Sequence, residues 1–185
     1  MVINMNYPKG IVKPQHNSII YSNRGMNLES DLNTTCEYYL QNDKAIIYKK
    51  PTPITISKVD YANKNDAVIK EGHFRIPSTT DYNGIYKGKY IDFEAKETKL
   101  DYFPLKNIHP HQIKHLLTCK EMGGISFVII KFLKYDKVFL IDISSLVKFK
   151  DKIPYTYFKD NVSEIKYKYN PRLDYLDIID KMEDL

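Results

Sequence analysis

The stretch TTDYNGIYKGKYIDFEAK, residues 79–96, restricts the possible folds more than any other part of the chain. Two runs rich in Tyr, Ile and Phe flank Lys87-Gly88. A glycine in a short loop supplies the positive φ that a tight hairpin turn needs. The expectation is a β-hairpin with Lys87 and Gly88 as its two loop residues. Tyr86 then pairs with Lys89 and Asn83 with Asp92. Continued outward, the same register sets Asp81 against Glu94 and Thr79 against Lys96. Side chains alternate with period two, so Thr79, Asp81, Glu94 and Lys96 share one face.

Opposed residues in such a ladder have Cβ atoms about 5 Å apart, and like charges there repel. A chain that sets Asp81 against Glu94 must offset that repulsion. A hard divalent cation does so, since Mg²⁺ takes carboxylate oxygens and water. Lys96 is one strand step away. Two carboxylates, a cation and an ammonium are the parts of a metal-assisted phosphodiester cleavage site. A solvated hairpin face carries the same residue types, and the residues alone leave both readings open.

Asp81, followed thirteen positions later by Glu94-Ala95-Lys96, resembles the D…(D/E)xK core of the restriction-endonuclease-like nucleases. Three longer phrases are more specific: IPSTTDYNGIYKGKYIDFEAKETK, NRGMNLESDLN and FPLKNIHPHQIKHL. Together they resemble the RecU-type Holliday junction resolvases, over a span from about Tyr21 to about Asp180. The resemblance implies an α/β fold, a restriction-endonuclease-like mixed central sheet flanked by helices, with a projecting β-hairpin stalk. It implies a Mg²⁺-dependent endonuclease that resolves four-way DNA junctions by symmetric nicking, leaving 5′-phosphates, in recombination and repair. It also implies a homodimer, and contacts with a RecA-type recombinase and a branch-migration complex. The catalytic residues would be Asp81, Glu94 and Lys96. The metal ligands would be Thr79, Asp81, Glu94 and Gln112, with the Ala95 carbonyl assisting. Arg24 matches an arginine implicated in DNA handling. Lys49 and Lys64 fall near positions tied to junction binding, although Lys64 stands where an arginine is often found.

The 185 residues suffice for one domain with a proper core. No run of eighteen apolar residues is present, and the N-terminus lacks the apolar core of a secretory signal. Cys36 and Cys119 are too few for a disulfide framework, which fits a reducing, cytoplasmic setting. A formal charge of +5 is compatible with a nucleic-acid partner without requiring one.

Residues 1–23 carry Lys9, Lys13 and His16 and no acid, and read as a flexible basic arm. Residues 24–185 then form a single nuclease domain. Asn27 caps a helix to about Leu40. Glu29 lies in its first turn, where the helix dipole favours an anion; it is also a candidate accessory acid. A short strand at 45–48 is followed by two β-type runs, 54–61 and 67–76, in a second hairpin. That hairpin, with its approaches about 50–76, has few apolar positions and includes Lys50, Lys58 and Lys64. It reads either as a solvated protrusion or as a basic prong for the open centre of a junction. Residues 100–108 read as a loop. Pro110 opens a helix that Gly123-Gly124 ends, with Gln112 in its first turn. Residues 125–132 form a strand buried on both faces, and 138–143 return beside it. Ser144 or Ser145 is expected to cap a short helix, and 170–182 a final one with Pro171 in its first turn.

His111, His115 and Cys119 recur every four residues on one helix face and suggest a rival zinc site. Three ligands on one helix cannot close a tetrahedron, so ordinary histidines are expected. Two other functions compete with the nuclease: a non-catalytic module for branched DNA or a recombinase, and a restriction or repair endonuclease acting on linear duplex.

Overall fold

The computed structural model describes residues 27–60, 68–74 and 79–183. The basic arm, Arg24 and Lys64 lie outside these residues. Helix α1 (Leu28–Gln41) is followed by strand β1 (Ile46–Lys49), the hairpin β2 (Ile54–Asp60) and β3 (Val68–Phe74), and the hairpin β4 (Tyr82–Tyr86) and β5 (Lys89–Thr98). Then come β6 (Tyr102–Pro104), a 3-10 turn (Leu105–Asn107), α2 (Pro110–Glu121), β7 (Ile125–Phe132) and β8 (Lys137–Asp142). Helix α3 (Ile143–Leu146), β9 (Lys152–Pro154), α4 (Tyr155–Asn161), β10 (Ser163–Ile165) and α5 (Leu176–Glu183) complete the chain.

Six strands form one mixed sheet in the order β1-β4-β5-β7-β8-β10. Among the described residues only β5 and β7 run parallel, because α2 crosses over between them. The other neighbouring pairs are antiparallel. The expected architecture, a mixed sheet flanked by helices, is what forms. The β4–β5 register is also as expected, from Tyr86↔Lys89 through Asn83↔Asp92 to Tyr82↔Phe93. Lys87 and Gly88 both take positive φ, 46° and 78°. That is the type I′ geometry whose twist matches the flanking strands.

Strand β5 sits inside the sheet, and its alternation divides the molecule. Ile91 and Phe93 face α1 and the C-terminal segment, in a core with Leu32, Tyr39, Phe127 and Tyr175. Phe93 stacks between Tyr82 and Phe127 at centroid distances of 4.8 Å on each side. The opposite face of β7 and β8 carries Val128, Ile130, Phe139 and Ile141 against Leu116, Leu146 and Phe158. With both faces covered, β7 is buried along its whole length.

Gly84 lets β1 approach β4. A Cβ there would stand 2.0 Å from the Ile46 carbonyl oxygen and 2.6 Å from the Ile47 Cα. Neither atom can move without opening the sheet. Gly84→Ala is therefore expected to destabilise the protein by about 3 kcal/mol or more, measured as a lowered denaturation midpoint with an unchanged m-value.

Several boundaries differ from the sequence expectation. Residues 102–104 are a strand paired with β9, not loop. Helix α3 is capped by Asp142, whose Oδ1 accepts from Ser144 N–H at 2.8 Å; a carboxylate two residues before the first serine outcompetes both. The last helix begins at Leu176, not near Asn170. Tyr167 bridges Leu173, and Lys168 N–H bonds the Arg172 carbonyl, so the chain around Pro171 turns back on itself first. Among the described residues the β2–β3 hairpin pairs only with itself, and its side chains are almost all exposed.

Candidate active site

The chemistry gathers on the α2 side of β5 and at the adjoining edge of β4. Asp92, Glu94 and Lys96 share that face by strand alternation. Asp81 lies one residue before β4, and its carboxylate accepts the Ala95 N–H at 3.3 Å. Its own carbonyl accepts from Lys50 N–H at 2.8 Å. The loop carrying Asp81 is thus tied to the sheet from both neighbours, just beyond the outermost ladder pair Tyr82↔Phe93, and the Asp81 charge bears on Glu94.

Glu94 is fully buried, yet neither of its carboxylate oxygens has a well-directed hydrogen bond. The Lys96 ammonium forms an ion pair with its Oε1. Burial first, and then the neighbouring Asp81 charge, push the Glu94 carboxyl up to about 7; Lys96 opposes both. A buried carboxylate short of partners is costly. Two carboxylates with free lone pairs and little else form a hard, oxygen-only donor set, which suits Mg²⁺.

Beside the pair opens a cavity of about 240 Å³, lined by Asn27, Leu28, Glu29, Asp81, Tyr82, Ala95, Lys96 and Glu97. The N-terminus of α1 forms its wall. Asn27 Oδ1 caps Ser30 N–H at 2.9 Å, and Glu97 Oε1 accepts Leu28 N–H at 2.7 Å. Glu29 reaches this cavity but pairs with Lys49. A larger cavity, about 780 Å³, lies between the β6 and α3 regions and includes none of these acids.

The remaining expected residues are distributed as follows. Thr79 is exposed, and its hydroxyl accepts from Lys50 Nζ at 3.2 Å. Gln112 is buried, and its Oε1 caps α2 by accepting His109 N–H at 3.0 Å. Lys58 is exposed on the hairpin. Lys50 is not placed for the phosphate contact expected of it: its side chain is only 15% exposed and its ammonium bonds Asp92 Oδ2 at 2.8 Å. The helical row His111–His115–Cys119 does not form a site. His111 instead stacks on His109, whereas His115 turns to Asp92.

Sequence reasoning placed Asp92 opposite Asn83 but gave it no role. Asp92 is in fact the most heavily bonded acid of this face. Its Oδ2 receives Lys50 Nζ, Tyr90 Oη at 2.8 Å and His115 Nε2 at 3.0 Å, while Oδ1 receives the Thr80 hydroxyl. Its parity with Glu94 was the available signal.

The family model described as Recombination protein U, RecU, matches residues 23–181. The chain belongs to the RecU family. The Holliday junction resolvase RecU of Oceanobacillus iheyensis is 46% identical over 194 residues, covering 96% of this chain and 99% of that protein. That of Lactiplantibacillus plantarum is 48% identical over 176 residues, covering 90% and 85%. Among solved structures, Archaeoglobus fulgidus Hjc, a Holliday junction resolvase, aligns with a TM-score of 0.46 at 15% identity, over 73% of this chain and 92% of that one.

Proposed function

We propose that this chain is a Mg²⁺-dependent endonuclease that resolves four-way DNA junctions. The observation that carries the reading is Glu94: a buried carboxylate set against the Asp81 charge, with the Lys96 ammonium ion-paired to its Oε1. The RecU relatives, named for junction resolution and covered over 99% and 85% of their lengths, supply the substrate.

Asp81 and Glu94 would hold the metal, and Thr79, Gln112 and the Ala95 carbonyl would be its further oxygen donors. Bound there, Mg²⁺ would polarise the scissile phosphate and bring the pKa of an attacking water towards neutrality. Lys96 Nζ, held by Glu94, carries positive charge to the phosphate oxygens as negative charge grows on them. Its ammonium also orients the water, and it acts without losing its own proton. The Ala95 N–H fixes Asp81, so that the pair stays aligned before substrate arrives. Arg24, Lys49, Lys58 and Lys64 provide phosphate contacts, and the β2–β3 hairpin enters the open junction centre. Glu29 serves as an accessory acid at the cavity wall. Symmetric nicking of two strands needs two such sites, hence a two-fold dimer. The work is cytoplasmic, in recombination and repair, alongside a RecA-type recombinase and a branch-migration complex.

Cleavage of a four-way junction, a fork and a linear duplex of the same sequence tests the proposal. With Mg²⁺, the junction is expected to be cut, its linear counterpart not. Equal cutting of linear duplex would assign a general endonuclease. Junction binding with no cleavage in any divalent metal would leave a binding module. Binding is expected to weaken steeply with salt, as phosphate neutralisation releases counterions.

A further inference from the structure

Two residues before Glu94 on the same face of β5, a different donor set assembles. Asp92 is fully buried, and its Oδ2 lies 3.0 Å from His115 Nε2 on α2. One helical turn on, Cys119 Sγ stands 3.5 Å from the same nitrogen. One ligand atom from each residue can be chosen so that all lie within 4.8 Å of one another. In a tetrahedral zinc site, bonds of about 2.0 Å to nitrogen or oxygen and about 2.3 Å to sulfur put neighbouring donors roughly 3.3–3.6 Å apart. The separations of 3.0 and 3.5 Å lie close to that range, so a cation between them reaches all three with small side-chain shifts. Two ligands come from one face of a helix and the third from a sheet strand, which supplies the direction that the helix alone cannot. His115 is 28% exposed, which leaves an approach from solvent and room for a water as fourth ligand.

We propose that Asp92, His115 and Cys119 form a second metal site, for a soft or borderline divalent cation of the zinc class, and that filling it unbraces the loop that carries Asp81. The donor chemistry separates it from the oxygen-only pair Asp81–Glu94: imidazole and thiolate select zinc-like ions over Mg²⁺. Burial and the Asp92 charge raise the Cys119 thiol above its ordinary pKa, so without metal it stays protonated. On binding, the thiol gives its proton to solvent and the sulfur takes the metal.

The link to the loop runs through Lys50. Its ammonium shares Asp92 Oδ2 and also bonds Thr79 and Thr80, the two residues before Asp81. A dication bound to Oδ2 repels that ammonium at close range. Lys50 then leaves Asp92, and Thr79 loses its tie to β5, while Thr80 keeps its own bond to Asp92 Oδ1. This second half rests on the nuclease reading above; the binding half does not.

Titration of the full-length, metal-free protein with Co²⁺ tests the binding half, through the d–d bands and the thiolate-to-cobalt charge-transfer band. One equivalent is expected to develop both. Cys119→Ser is expected to lose the charge-transfer band, whereas Asp81→Asn keeps it. Absence of the band in the wild type, or its survival in Cys119→Ser, would overturn the site. For the second half, Zn²⁺ is added to Mg²⁺-driven junction cleavage. Wild-type cleavage is expected to slow by about tenfold or more, and Cys119→Ser to resist. Equal inhibition of both would overturn the link to the loop. Should the chain cut no junction at all, the cobalt spectra still decide the site.

Discussion

Asp81→Asn is expected to reduce Mg²⁺-dependent junction cleavage by roughly 10³-fold or more while leaving junction binding intact. The variant keeps an oxygen to accept the Ala95 N–H, so the 3.3 Å contact that positions residue 81 persists. What it loses is one of the two negative charges that face the metal. Removing a carboxylate near the phosphates also removes repulsion, so binding is expected to be unchanged or slightly tighter. Single-turnover cleavage and a gel-shift titration, both with Mg²⁺, separate the two effects. Near wild-type cleavage would take Asp81 out of the mechanism. A parallel loss of binding would indicate that the loop had come apart instead.

Glu94→Gln is expected to be equally inactive, yet more stable than the wild type in the absence of metal at pH 8. The folded-state carboxyl is raised from 4.5 to about 7. The folded form therefore holds a proton that the unfolded form has released between those values. Stability from this group is fully present below about 4.5 and is lost as pH rises through about 7. At about 1.4 kcal/mol per unit, the full loss approaches roughly 3 kcal/mol. Glutamine carries no charge to bury and escapes it. Denaturant unfolding with chelator present, run at pH 5 and pH 8, reads the effect as a growing gap between variant and wild type. A gap that stays constant with pH would contradict it. Mg²⁺ is expected to narrow the gap by stabilising only the wild type. The same proton competes with the metal, so apparent Mg²⁺ affinity is expected to fall as pH drops below about 7.

The residues that made the hairpin legible were local. Gly88 and the alternation around it set the register out to Tyr82↔Phe93, and Asp81 follows close enough for its charge to act on Glu94. The apolar run of β7 announced its own burial. What stayed hidden joins distant parts of the chain. Asp92 meets His115 across 23 positions, and Glu97 caps Leu28 across 69; no periodicity encodes either. Lys50 read as one more exposed base in a basic region, and only the closed sheet turns it inward. Near Asn170, a cap residue and a proline gave sound helix signals. The Tyr167–Leu173 pairing took the chain first, because it brings Leu173 and Tyr175 into the core.

Strand β5 has one further consequence. Its even-numbered side chains from 92 to 96 are acid, acid and ammonium, and the odd ones beside them, Ile91 and Phe93, belong to an aromatic pile. The number of residues between the bend and Lys96 is therefore a parity, not merely a length. Deleting one amino acid from that run would swap the two sides at once, driving charges among the rings and turning Phe93 onto the carboxylate face. Length changes belong at the tip, where a longer bend leaves both sides as they are.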